Sequence, residues 1–210
     1  MGKERVKRWQ LQREKQRKLL VMAVAITQAM FFVEIGAGLW ASSAALQIDA
    51  LETNDSKELT DQVFKKKLPA IFDAFATLFG GIGALLVCCW AVTVAFWNII
   101  HEIVPDLRVM AVVGTIALAG NATILALVRG NQLTNPSLKR VRKAAFSDAL
   151  GNLCVLAAAG GVYLTGEAWP DSMAVAAIFP MAAFRAIATV KNGLIALRSA
   201  RKATPPARKG

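Results

Sequence analysis

The chain has 210 residues, is 55% hydrophobic and carries a formal net charge of +11. Several uninterrupted apolar runs are long enough to span a bilayer, which excludes an ordinary soluble domain. The positive charge falls in four separate segments with no aromatic interleaving, which argues against nucleic-acid binding.

Residues 1–18 hold Lys3, Arg5, Lys7, Arg8, Arg13, Lys15, Arg17 and Lys18. They read as a basic cytoplasmic N-terminal segment suited to an anionic leaflet. No cleavable leader is expected, because the segment enters a full-length span without a small-residue cleavage site. Span 1 is expected at 19–39. The apolar part of span 2, Trp40 to Leu51, is too short to cross by itself and is followed by Glu52, Thr53, Asn54, Asp55 and Ser56. Charge topology still assigns it a crossing, since otherwise the basic loop at 129–143 falls on the outer side. The polar half of span 2 must then be shielded by protein or water.

Span 3 is expected at 68–100, with Pro69 in a first helical turn where it is tolerated. Its Phe79-Gly80-Gly81-Ile82-Gly83 stretch offers a smooth face for close helix approach. Spans 4, 5 and 6 are expected at 108–128, 144–165 and 171–195, with a kink at Pro180. Residues 198–210 read as a basic disordered tail. The fold class is therefore an all-α integral-membrane six-helix bundle. A six-span transmembrane domain at 19–197 lies between the two basic segments, with both termini cytoplasmic by the positive-inside rule.

Acidic and polar residues inside these spans carry the functional signal, because charge in the hydrocarbon is costly and marks a bundle interior or an ion path. Counting about 1.5 Å per residue from the span ends sets Glu52, Asp55, Asp73, Asn121, Asp148 and Arg185 about 18–22 Å from the outer side. Spans 2 to 6 then each offer a polar side chain at one level, while Glu34 and Asp49 sit nearer the outer half. Two readings follow. In one, carboxylates from spans 2 and 5 (Asp49, Glu52, Asp55 and Asp148) converge on a divalent cation and exchange it for protons. Oxygen ligands suit Mg²⁺, Mn²⁺ or Ca²⁺, and carboxylates with imidazole suit Zn²⁺. In the other, Arg185 pairs with Asp148 or Glu52 and the belt is structural. Asp73, Asn121 and Glu34 read as helix–helix hydrogen-bonding residues.

His101, the one histidine, falls at a span end and reads as interfacial. Cys88, Cys89 and Cys154 lie in apolar runs and read as reduced, small hydrophobes. No nucleophile–base constellation and no phosphate-cradling glycine loop is present, so no enzyme is expected and no cofactor is implied.

Phe32-Val33-Glu34-Ile35-Gly36-Ala37-Gly38 followed by Ser43-Ala44-Ala45-Leu46-Gln47-Ile48-Asp49-Ala50 resembles the span 1–span 2 signature of the cation diffusion facilitator (CDF) family. Phe146-Ser147-Asp148-Ala149-Leu150-Gly151-Asn152-Leu153-Cys154-Val155-Leu156 is similar to that family's fifth helix. Gly166-Glu167-Ala168-Trp169-Pro170-Asp171 resembles its outer turn, and Met110, Gly114 and Asn121 resemble the fourth helix of short bacterial members.

The resemblance implies a CDF-like transmembrane domain in the bacterial inner (cytoplasmic) membrane. It implies a homodimer among membrane lipids that exchanges Zn²⁺, Mn²⁺, Fe²⁺ or a similar divalent cation for protons. The larger members' cytoplasmic metal-sensing domain is not expected. The family's four ligand positions fall on Glu52 and Ser56 in span 2 and on Ala144 and Asp148 in span 5, with Asp55 one residue from register. Ala144 has no ligating atom, so a tetrahedral four-ligand Zn²⁺ site is not expected. The alternative implied by these departures is a non-transporting accessory subunit of a membrane complex.

Overall fold

A computed structural model of the chain describes residues 2–52, 69–129 and 136–203. Within these, the side chains of residues 2–13, 15, 52, 136–137 and 202–203 are outside the description. Six helices and no strand occur among the described residues: α1 (Gly2–Trp40), α2 (Ala44–Glu52), α3 (Ala70–Ile100), α4 (Leu107–Arg129), α5 (Pro136–Thr165) and α6 (Trp169–Ala203). Five of them contain segments long and apolar enough to cross a membrane: Gln16–Trp40, Ala70–Ile100, Leu107–Arg129, Leu138–Thr165 and Trp169–Arg201. Their outward faces carry Phe32, Phe79, Leu86, Phe96, Leu164 and Phe184, all more than half exposed, as lipid-facing surfaces require. This is an integral membrane helical bundle.

Several boundaries differ from the sequence expectation. The basic N-terminal segment continues without a break into the first span, because Lys, Arg, Gln and Glu are good helix formers. The last helix passes through Pro180 and extends to Ala203, so the first part of the expected tail is helical. At nine residues, α2 is about 13 Å long. Whether it continues across the membrane is decided by residues 53–68, which lie outside the description, as does the expected tail from 204 onward.

One end of the bundle collects the chain reversals. Ser42 turns the chain between α1 and α2 with φ 52°, a strained backbone for a residue with a side chain. Asn98 at the end of α3 holds that turn by donating from Nδ2 to Ser42 O at 2.6 Å. The Asp106 backbone N–H donates to Ala41 O at 3.0 Å, tying the start of α4 to the same turn. Asp106 Oδ1 then accepts from the Arg108 backbone N–H at 2.9 Å, an N-cap for α4. We call this the turn end and the opposite one the tail end.

Close helix approach occurs where glycines remove a Cβ. A Cβ on Gly81 of α3 would lie 2.7 Å from Val190 N of α6, and one on Gly193 of α6 would lie 2.7 Å from Leu78 Cα of α3. Of the glycines at 80, 81 and 83, only Gly81 makes this approach; Gly80 and Gly83 face open space. A Cβ on Gly114 of α4 would meet Leu156 Cδ2 of α5 at 3.1 Å, and one on Gly38 of α1 would meet Gln47 Cγ of α2 at 2.7 Å.

The buried side chains form two apolar clusters. The first joins α2 to α6, with Leu46, Ile48, Cys88, Met110, Val155 and Ile178 among its members. The second joins only α1, α4 and α5, through Leu20, Ala23, Val24, Ile124, Val128, Leu138, Val141 and Ala145. Along α4 the order is Met110 and Val113, then Asn121, then Ile124 and Val128. Along α5 it is Ala145, then Asp148 and Asn152, then Val155. A buried polar layer thus separates the turn-end cluster from the tail-end cluster.

Candidate functional site

The polar layer is built by four helices. Glu34 on α1, Gln47 and Asp49 on α2, Asn121 on α4, and Asp148 and Asn152 on α5 are each at most 4% exposed. Each lies on the inward stripe of its helix, at i+3 or i+4 steps from buried apolar neighbours. The buried charged groups among the described residues are all carboxylates: Glu34, Asp49, Asp148 and Asp171. Buried carboxylates inside membrane-spanning helices mark a candidate ion path.

The α2–α5 contact sets the register of the site. A Cβ on Gly151 would collide with Asp49 Oδ1, so the glycine opens a notch in α5 that the Asp49 carboxylate fills. The two helices are antiparallel, and the same register brings position 52 of α2 opposite Asp148 of α5. The side chain of Glu52 and the whole of Asp55 lie outside the described residues. Among the described residues no group of three or more His, Cys, Asp or Glu side chains forms a metal cluster.

The remaining belt residues separate. Asn121 is level with Asp148 by the Gly114–Leu156 contact between α4 and α5. Arg185 on α6 is half-buried and donates from Nη2 to Ser147 Oγ at 2.8 Å, beside Asp148. Asp73 departs from the expected common level. The Gly81–Val190 and Leu78–Gly193 contacts fix the α3–α6 register and set Asp73 about 20 Å nearer the tail end than Arg185. The depth count placed it wrongly because α3 is 31 residues long, more than the hydrocarbon requires. Asp73 lies in the first turn of α3, half-buried, where its charge complements the helix dipole.

Three contributors escape the sequence reading. Asp171, in the first turn of α6, reaches across to the start of α2. Its Oδ1 accepts from Ser43 Oγ at 2.7 Å and from the Ala45 N–H at 3.3 Å, and its Oδ2 accepts from the Ala44 N–H at 2.8 Å. Ser43 Oγ in turn accepts from the Leu46 N–H at 3.2 Å. A carboxylate on another helix thus caps α2, satisfying N–H groups that the helix leaves open. Gly151 and Asn152 sit within the quoted span-5 motif, but spacing alone shows neither the notch nor the burial.

The family model for the cation efflux transmembrane domain matches residues 72–197. That is more than half of the chain, from α3 through most of α6, and includes Asn121, Asp148 and Arg185. A comparison with curated proteins gave no match. The lipid-facing bundle, its buried carboxylate layer and the extent of that match lead to one assignment: the chain belongs to the cation efflux family and is a cation transporter of the cation diffusion facilitator kind.

Proposed function

We propose that the chain carries a divalent cation across the membrane in exchange for protons, with the cargo held between α2 and α5 by Asp49, Glu52 and Asp148. The observation that carries this reading is the Gly151 notch. It seats the Asp49 carboxylate against α5, and its register brings position 52 opposite Asp148.

Carboxylate oxygens are hard ligands, and the described polar layer holds no imidazole. The site therefore suits Mn²⁺ better than a softer, tetrahedral Zn²⁺ centre. Release of the cation leaves like charges facing one another in low dielectric, and proton uptake neutralises them. Exchange for protons follows from that charge balance. Parting of α1, or of α2 with α6, from α4 and α5 at one end and then the other would expose the site to each side in turn.

The test is Mn²⁺ flux in proteoliposomes containing the full chain, with an internal pH indicator. Asp148→Ala is expected to abolish Mn²⁺-dependent proton movement while the protein still elutes as a monodisperse species. Undiminished flux in that variant rejects Asp148 as a ligand.

A further inference from the structure

Arg185 brings a positive charge to the level of the cargo carboxylates from a helix that supplies none of them. It lies half-buried within the Trp169–Arg201 span of α6, between the exposed Phe184 and Ile187 and the buried Ala182 and Ala186. Its Nη2 donates to Ser147 Oγ of α5 at 2.8 Å. The Ser147 hydroxyl in turn donates to Met181 Sδ of α6 at 3.8 Å, so the contact is held within the α5–α6 packing.

The register of these two helices follows from a separate contact. A Cβ on Gly161 of α5 would lie 2.6 Å from Pro170 Cβ of α6. The helices are antiparallel, so from that point Ser147 and Asp148 lie about 21 and 20 Å toward the tail end, and Arg185 about 22 Å. Asp148 follows Ser147 directly, its Cα about 3.8 Å away, which sets the guanidinium within about 10 Å of the Asp148 carboxylate.

This charge stands alone at its level among the described residues. Side chains lean toward the N-terminus of their own helix, so Arg185 leans toward the polar layer and away from the tail end. Lys143 of α5 and Lys191 of α6, the next basic residues toward the tail end, are exposed and about 7–9 Å nearer to it. Arg108 and Arg129 stand at the two ends of α4, and no basic residue occurs within 19–52 or 70–100. The buried charged groups of the layer, Glu34, Asp49 and Asp148, are acidic. Arginine keeps its charge in a protein interior.

We propose that Arg185 is a positioning residue of the cargo site, a fixed charge tethered by Ser147 that weakens the hold on a divalent cation and so permits its release. The proposal rests on the reading in which Asp148 is a cargo ligand. A transport site has to bind its ion well enough to load and weakly enough to unload. At about 10 Å and an effective dielectric near 20, a unit charge opposes a divalent cation by about two orders of magnitude in affinity, and screening at a half-buried group reduces this to about tenfold. A purely structural link between Arg185 and Ser147 would hold α5 to α6 and leave the affinity unchanged.

The experiment is calorimetric titration of the full chain in nanodiscs with Mn²⁺, together with Mn²⁺ flux in proteoliposomes. Arg185→Gln, which can still hydrogen-bond Ser147, is expected to bind Mn²⁺ about tenfold more tightly than wild type, with KM and kcat for flux both lowered. Arg185→Met removes the charge with a side chain suited to hydrocarbon. It is expected to tighten binding equally and covers the case in which the glutamine variant does not fold. Arg185→Lys, which keeps the charge, is expected to remain near the wild-type affinity. Unchanged or weaker binding in the neutral variants, or equal tightening in Arg185→Lys, overturns the proposal while the cargo site stands. Asp148→Ala is the control and is expected to lose binding. A wild type that does not bind Mn²⁺, or undiminished binding in Asp148→Ala, overturns the cargo assignment and this proposal together.

Discussion

Replacing Gly151 by alanine tests the register on which the cargo site depends. The new Cβ would collide with Asp49 Oδ1, so either α2 and α5 separate or the Asp49 side chain leaves its notch. Overpacking of this kind costs about 1–3 kcal/mol, offset by the roughly 0.5–1 kcal/mol that alanine gains over glycine within a helix. A control on the same helix removes that second contribution. Gly160 meets nothing within 4 Å, so Gly160→Ala receives the helix gain alone.

The stability difference between the two variants is then expected to be about 1–3 kcal/mol, or about 5- to 150-fold in the folded-to-unfolded ratio. Thermal unfolding of the purified chain in detergent, followed by loss of the monodisperse peak, reads the order of stability. Asp49→Ala in the Gly151→Ala background is expected to restore stability, giving a coupling of opposite sign to the single effects. Transport is not the readout for that double variant, because Asp49 is itself assigned to the cargo. Equal stability of Gly151→Ala and Gly160→Ala would refute the register.

Asp171→Ala is expected to lower thermal stability by about 1–3 kcal/mol, because it leaves the Ser43 hydroxyl and two N–H groups of α2 unsatisfied in a buried place; Asp171→Asn, which keeps an acceptor oxygen, is expected to cost less, and an alanine variant as stable as wild type would refute the cap. Gly193→Leu is expected to cost about 1–3 kcal/mol or more, since its Cβ meets the Leu78 backbone rather than a side chain that can rotate. Gly83→Leu, which faces open space, is expected to leave the same unfolding curve near wild type.

Five of the expected spans were legible because hydrocarbon imposes a simple rule: apolar runs of sufficient length form helices that satisfy their own backbone. Asp148, Asp49, Asn121 and Glu34 were legible for the complementary reason, that a polar side chain in such a run has to turn inward. Depth was harder to read. The count worked for Asn121 against Asp148, whose helices enter the bundle at comparable levels. It failed for Asp73 because residues that start a helix need not start the hydrocarbon. The Asp171 cap could not be read at all, since it joins the first turn of α6 to the first turn of α2. Locally, Trp169-Pro170-Asp171 looks like an ordinary helix start for α6 alone. Gly151 illustrates the same limit. A glycine in a helix signals close approach, but only the packed structure shows that a carboxylate, and not a backbone, approaches.

The two apolar clusters give the polar layer its directional character. At the proposed position between Asp49 and Asp148, a cation would be separated from the tail end by the α1–α4–α5 cluster and from the turn end by the α2-to-α6 cluster. The barriers use different helices. Opening toward the tail end requires α1 to part from α4 and α5, whereas opening toward the turn end requires α2, α3 or α6 to part from α4 and α5. Because α4 and α5 belong to both clusters, they form the shared wall against which either side moves. Asp171 ties α2 to α6 at the turn end, so those two helices move there as one unit while the cap persists. Glu34 stands on α1, the helix that must leave the shared wall when the tail end opens.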